Sequence, residues 1–316
     1  MSLKIKAALA SVVLALSIGS VPSAQAAKSL TTPDMDWTGG VVTCRVLQYI
    51  MENEMGYKIK TVTMPMGPGV WEAVRAGDLD YFCEMWPSYN PIKDKYLSIH
   101  GGDGSVIHLG DTGIVGNSGY FVPRYMLEGD AARGIKASAP ALKSYKDLNQ
   151  YKDLFKSMES GNRGNLYGCP IAAWICGDQE RLDKLGVDFY AQSLGSETAH
   201  FVEIQAKFKR GEPFVAYFWA PHWIHAALDL VEIELPEYDE SKWPVTDWAK
   251  DVTINIGNPS LEKEHPQIAQ LIRNQHLTND QQAGMIYEID VNKREVDEVV
   301  EEWMKANEDI WKKWLP

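Results

Sequence analysis

Between Val41 and Trp86 the hydrophobic pattern alternates between helical and strand spacing, and this limits the fold more than any other feature. From Val41 to Met55, Val42, Val46, Tyr49 and Ile50 fall on one helical face, and Gly56 ends the run. Lys58 to Met64 sets Ile59, Val62 and Met64 among polar residues, as a half-buried strand does. Met66-Gly67-Pro68-Gly69 turns into a short helix, Val70 to Ala76. Gly77-Asp78-Leu79-Asp80 then leads into a buried strand, Tyr81 to Trp86, stopped by Pro87. A β-α-β-α-β succession specifies parallel strands with helices on their faces, so the expected class is α/β.

The remaining segments continue the pattern. Thr38-Gly39-Gly40 reads as a loop ahead of the first helix, and Ile114 to Val122 as a Gly-rich strand leaving the first lobe. Asp178 to Leu185 and His200 to Lys209 read as helices ended by Gly186 and Gly211. Pro213 to Trp219 is a buried strand, stopped by Ala220-Pro221. Val252 to Ile256 is a strand, Glu262 to Gln275 a helix, and Thr278 the N-cap of the next. A last helix, about Lys293 to Trp314, brings Val296, Val300, Trp303 and Ile310 near one face.

The N-terminus has the layout of a secretory leader. Lys4 and Lys6 precede an apolar run, Ala7 to Ile18, and the small-x-small sequence Ala24-Gln25-Ala26 follows. The run is shorter than the ~20 residues a membrane-spanning helix needs. Residues 1–26 are therefore expected to be cleaved, leaving the protein free in the periplasm; no cysteine near the cleavage point offers a lipid anchor. A mature chain of roughly 290 residues is large for one core and predicts two domains. The net charge of -12 argues against nucleic acid as a partner, because phosphate binding needs clustered Lys and Arg.

Cys44, Cys83, Cys169 and Cys176 are an even number in an oxidising compartment, which predicts disulfides. Three pairings are open; Cys44–Cys83 would tie a helix to a strand, and Cys169–Cys176 would close a small loop. The spacing does not match a zinc site, and neither a metal nor a cofactor is expected. Enzyme motifs are also missing: the chain has no G-x-S-x-G, no H-E-x-x-H and no phosphate-binding glycine loop. An exported small-molecule hydrolase stands as the alternative from another class.

Eleven tryptophans are the unusual feature. Trp86 and Trp219 each end an apolar strand, the place where open α/β sheets bind ligands. Trp37 stands at the entry to the first helix, Trp174 lies between Cys169 and Cys176, and Trp223 follows the second strand end. Such a set can cage a methylated cation. A quaternary nitrogen has no N–H to satisfy, and its diffuse charge is attracted to the indole face, by ~2 kcal/mol per desolvated contact. Three contacts would supply roughly 6 of the ~8 kcal/mol that micromolar binding requires. For the ligand's other end, the backbone of Thr38, Gly39 and Gly40 and the side chain of His222 are candidate donors to an anionic group. Glu84, two residues from Trp86, would assist a cation and repel a carboxylate; a solvated or salt-bridged strand-end role is the alternative. Trp71 reads as helix packing, and Trp303, Trp311 and Trp314 as core of the last helix.

Two segments resemble the glycine-betaine-type substrate-binding proteins of ABC importers. These are Gly77-Asp78-Leu79-Asp80-Tyr81-Phe82 leading to Trp86-Pro87, and Gly211 through Trp219-Ala220-Pro221-His222-Trp223. The resemblance implies a two-lobe type II periplasmic-binding-protein fold closing over its ligand like a hinged clamp. It places 27–118 and 228–316 in the first lobe and 119–227 in the second. It also implies a cage of Trp37, Trp86 and Trp219, with Trp174 and Trp223 in support. The expected ligand is glycine betaine, choline, carnitine, trimethylamine N-oxide or dimethylsulfoniopropionate. The expected partners are the permease subunits of an ABC importer, served by a monomer.

Overall fold

The computed structural model describes residues 28–316 apart from Asn90, so the expected leader lies outside the described residues. Strand β1 (Ser29–Asp34) pairs in parallel with β2 (Lys58–Thr63). Helix α1 (Thr38–Asn53) connects them and begins three residues before Val41. Thr38, Gly39 and Gly40, expected as a loop, are thus its first turn. Gly40 is there for space: a Cβ would lie 2.6 Å from the Trp37 ring, which folds back over the helix start. Helix α2 (Pro68–Ala76) carries proline in its first turn and ends on left-handed Gly77. The strand β3 (Tyr81–Met85) follows, wholly buried.

The expected all-parallel arrangement gives way to a mixed sheet. β3 pairs antiparallel with β9 (Asp251–Gly257), which comes from near the other end of the chain. It meets β1 through Asp80, whose N–H donates to the Thr31 carbonyl at 2.8 Å and whose carboxylate accepts from the Thr31 N–H. Local periodicity carries no information about such a distant partner.

The 17-residue strand β4 (Ile107–Pro123) joins the two halves of the molecule. It starts seven residues before Ile114, because Gly110 and Gly113 adopt left-handed conformations and let it continue through register shifts against β9. As far as Gly116 it pairs with β9. From Asn117 it pairs with β7 (Ala216–Ala220), and then with β8 (Leu230–Glu232). Beyond β7 lie β5 (Gly164–Tyr167) and β6 (Phe189–Gln192), both parallel. The sheet order is therefore β3-β9-β4-β7-β5-β6, with one strand common to two α/β bodies and a cleft between them.

Helices α3 (Asp178–Lys184) and α4 (Glu197–Arg210) belong to the second body. α4 begins three residues before His200 because the Ser196 hydroxyl accepts from the Ala199 N–H and caps it. Helix α5 (Pro266–Asn274) is separated from Ser260–Glu264 at His265, since Pro266 cannot continue a helix. Helix α6 (Asn279–Asp290) opens with the expected Thr278 cap, completed by Gln281 into a capping box. Helix α7 (Val296–Ala306) stops at Asn307, so the single last helix expected from the pattern is instead broken before Trp311. Both α6 and α7 pack on α1 and return the chain to the first body.

Arg181 on α3 is fully buried, with its guanidinium 3.8 Å from the centre of the Trp248 ring and 5.0 Å from that of Trp243. Asp178 lies 3.5 Å from it.

Both disulfides form, as Cys44–Cys83 and Cys169–Cys176. The first pins α1 to β3 across 39 residues of sequence, a closure worth about 4 kcal/mol in the chain-entropy account. Replacing both Cys44 and Cys83 by serine should therefore lower the melting temperature by roughly 8–15 °C in thermal denaturation. An unchanged melting temperature would show that the bridge adds nothing to stability.

Candidate functional site

The cleft-side ends of β3 and β7 converge on one aromatic cavity. Trp86 enters from the end of β3, Trp219 from β7, Trp37 from the start of α1, and Trp174 from the Cys169–Cys176 loop. Trp174 stands edge-on between two of them, with ring centroids 5.9 Å from Trp37 and 5.6 Å from Trp219. Its indole N–H donates at 2.9 Å to Asp36, a residue of the first body, so this wall of the cavity is tied across the cleft. Burial raises the Asp36 carboxyl above its ordinary range. Trp86 packs against Gly116, where a Cβ would come within 2.1 Å of its ring. No side chain but hydrogen fits there.

Glu84 supplies the carboxylate of the cavity lining, and no Lys, Arg or His lines it among the described residues. Simple strand alternation predicted that Glu84 and Trp86 share a face. They do meet, but Glu84 has φ 55° and leaves the regular strand geometry to do so. Its carboxylate is buried and accepts from Trp37 Nε1 at 3.1 Å, Trp86 Nε1 at 3.4 Å, the Thr43 hydroxyl and the Gln282 amide. The expected alternative of a solvated or salt-bridged glutamate is thereby corrected. Burial pushes its pKa up to about 7, against the pull of these hydrogen bonds toward the ionised form. One acid thus accepts from the N–H edges of two indoles and puts negative potential beside them.

The proposed anion seat at Thr38, Gly39 and Gly40 is already taken by the protein itself. The Thr38 N–H donates at 2.8 Å to Glu197 on α4, across the cleft. Gly39 and Gly40 are buried under Trp37 and Gln282. His222 does not line the cavity: it stacks on Phe201 at 4.2 Å, with its ring centre 5.2 Å from that of Trp219. Trp223 likewise sits behind the wall and donates through its indole N–H to Asp290 at 2.9 Å. The sequence-derived residues therefore divide into a lining group (Trp37, Trp86, Trp174, Trp219, Glu84) and a supporting group (Thr38, Gly39, Gly40, His222, Trp223).

Sequence reasoning missed part of the lining. Trp71, read as helix packing, reaches the cavity from α2, and Met66, Phe82, Met85 and Tyr217 complete its apolar walls. Gly67 brings the start of α2 so near Ala173 that a Cβ would meet its carbonyl at 2.5 Å; the glycine before the helix was the available signal. All four cysteines are bonded, so the activated thiol required by a Cys/His hydrolase is not present. No helix among the described residues is long and apolar enough to cross a membrane.

Comparison with known proteins agrees with this architecture. The lactococcal protein OpuAC, in its closed-liganded form complexed with glycine betaine, is 19% identical, covering 92% of this chain and 100% of that one, with a TM-score of 0.69. The glycine betaine/L-proline-binding protein ProX from Borrelia burgdorferi is 17% identical over 92% of this chain and 97% of its own, with a TM-score of 0.71. An ABC-transporter choline-binding protein in complex with choline is 17% identical over 90% and 91%, with a TM-score of 0.72. At these identities the likeness establishes the fold: two lobes of the type II periplasmic-binding-protein class with the cleft between them. A family model for the substrate-binding domain of ABC-type glycine betaine transport systems matches residues 28–306. The chain belongs to that family, whose members are extracytoplasmic substrate-binding proteins rather than enzymes.

Proposed function

We propose that this substrate-binding protein captures a methylated cation without an anionic group, such as choline, in preference to zwitterions such as glycine betaine or carnitine. The observation that carries the reading is the charge of the lining: several indoles, one glutamate and no cationic side chain. Trp37, Trp86, Trp174 and Trp219 offer π faces to a nitrogen that has no N–H of its own. Glu84 adds negative potential at the N–H edges of two of them, favouring a cation and opposing a ligand carboxylate. Such a carboxylate would also find the N-terminus of α1 filled by Glu197.

Capture is by closure of the two bodies about the shared strand β4. We place the crossings between lobes near Asn117, where β4 changes partners, and between Glu232 and Asp251, where β8 gives way to β9. The closed form is delivered to the permease subunits of an ABC importer, with the binding protein acting as a periplasmic monomer.

Calorimetry or intrinsic fluorescence against a panel of methylated ammonium and sulfonium compounds tests the reading. Carboxylate-free cations should bind at least about tenfold more tightly than their zwitterionic counterparts, a difference of ~1.4 kcal/mol. Equal or better binding of glycine betaine would overturn the preference, and no response to any methylated cation would overturn cation capture itself.

Removing one wall by Trp86→Ala or Trp219→Ala should weaken choline by roughly thirtyfold, the loss of one desolvated cation–π contact. Wild-type affinity in both variants would count against the cage. The variant Glu84→Gln should narrow the gap between choline and glycine betaine; a gap of unchanged size would remove Glu84 from the specificity argument.

A further inference from the structure

A polar cluster outside the aromatic cavity also spans the cleft. Thr38 and Asp290 belong to the first body, Glu197, His222 and Trp223 to the second. The Thr38 hydroxyl oxygen is 3.2 Å from Glu197 Oε2 and 2.9 Å from Asp290 Oδ1. We propose that this cluster is a proton-sharing latch: closing the cleft takes up one proton from solvent and holds it between Glu197 and Asp290 through the Thr38 hydroxyl.

The hydrogen-bond count requires that proton. A hydroxyl has one hydrogen, so it can donate to only one of two carboxylates. With both ionised, the other contact would set two lone pairs against each other. With one proton the chain is complete: Glu197 O–H donates to Thr38, Thr38 donates to Asp290, and the Trp223 indole N–H satisfies the second Asp290 oxygen. The mirror arrangement, with the proton on Asp290, is equally satisfied. Burial acts in the same direction, raising the Asp290 carboxyl and pushing that of Glu197 up to about 7.

His222 does not neutralise the pair. Its Nδ1 accepts from the Ile224 N–H at 3.2 Å, so in the neutral ring Nε2 carries the hydrogen; this nitrogen lies 3.3 Å from Glu197 Oε1 without a hydrogen bond between them. Burial drives the His222 pKa down to about 3. That tautomer also speaks against a metal, although the side chains of Glu197, His222 and Asp290 lie close enough to hold one. The nitrogen facing the carboxylates presents an N–H and not a lone pair. The other titratable groups around the cluster are Asp36, whose carboxyl feels the Glu197 charge, and His200 and His225, both lowered by burial. Among the described residues, no Lys or Arg pairs with Glu197 or Asp290.

The sign follows from linkage. In an open cleft these carboxyls meet water and titrate near 4. Closed, Glu197 titrates near 7. Proton uptake therefore favours closure fully below about pH 4, and the advantage is lost as pH rises to about 7. Glu84 opposes this trend, because a bound cation favours its ionised form, so the latch is read by comparing variants.

In Asp290→Asn the amide N–H₂ can donate to Thr38, Thr38 to Glu197, and the amide oxygen can accept from Trp223, so no proton is needed. Choline affinity is measured by calorimetry at pH 5.5 and 8 in wild type and Asp290→Asn. The ratio of wild-type to variant affinity should fall roughly twentyfold between the two pH values. This arm rests on the proposed cation capture. Small-angle scattering of the ligand-free proteins does not: wild type should be more compact at pH 5.5 than at 8, and the variant equally compact at both. The variant Glu197→Gln, equally insensitive to pH, serves if Asp290→Asn does not fold. Parallel pH profiles for wild type and variants in both readouts would overturn the latch, as would an affinity that depends on added zinc or on chelator.

Discussion

The buried carboxylate of Glu84 is the constraint from which the candidate site is built. It is held by neutral donors only, and two of these are the indole nitrogens of Trp37 and Trp86. Hydrogen bonds to an ionised acceptor are about twice as strong as neutral ones, so the 3.1 Å bond from Trp37 is a strong one, with the Trp86 contact longer at 3.4 Å. The remaining donors, Thr43 and Gln282, come from α1 and α6, and the Cys44–Cys83 bridge sits one residue away from both Thr43 and Glu84. Helix, strand and C-terminal return thus meet on one acid. All of these elements belong to the first body, so half of the cavity is preorganised whether or not the cleft is closed.

The other half arrives with closure. Trp174 and Trp219 come from the second body; beside the edge-on contact of Trp174 with Trp37, the hydrogen bonds across the cleft are Trp174 to Asp36 and Thr38 to Glu197. The apolar contact there is limited to ring edges, and carboxylates facing one hydroxyl exchange readily with water. Polar closure contacts suit a receptor that must open again at its transporter.

Much of this was legible in the sequence, for physical reasons that differ from residue to residue. Trp86 and Trp219 could be placed because proline stops each strand, and strand ends in an α/β sheet face the cleft. β1 was not read, because Ser-Leu-Thr-Thr-Pro-Asp has only one large apolar side chain to mark it. The mixed sheet was missed because β3 and β9 are far apart in the chain. Trp71 was assigned to packing since it sits beside Val70 and near Val74 on a short helix; its reach into the cavity depends on how closely Gly67 lets α2 approach the opposite lobe. Glu197 and Asp290 gave no local sign at all. Each is an ordinary helix carboxylate in sequence, and only folding brings both to Thr38.

Arg181 gives the aromatic chemistry a second meaning. It is a cation enclosed by Trp243 and Trp248 with Asp178 nearby, the same ingredients as the cleft, yet tethered to the backbone and never released. The chain therefore contains its own internal guest. Because that box is permanently filled, a free cation in solution has nothing to compete for there. The same kinds of group serve as architecture where the charge is covalently attached and as a receptor where it is not.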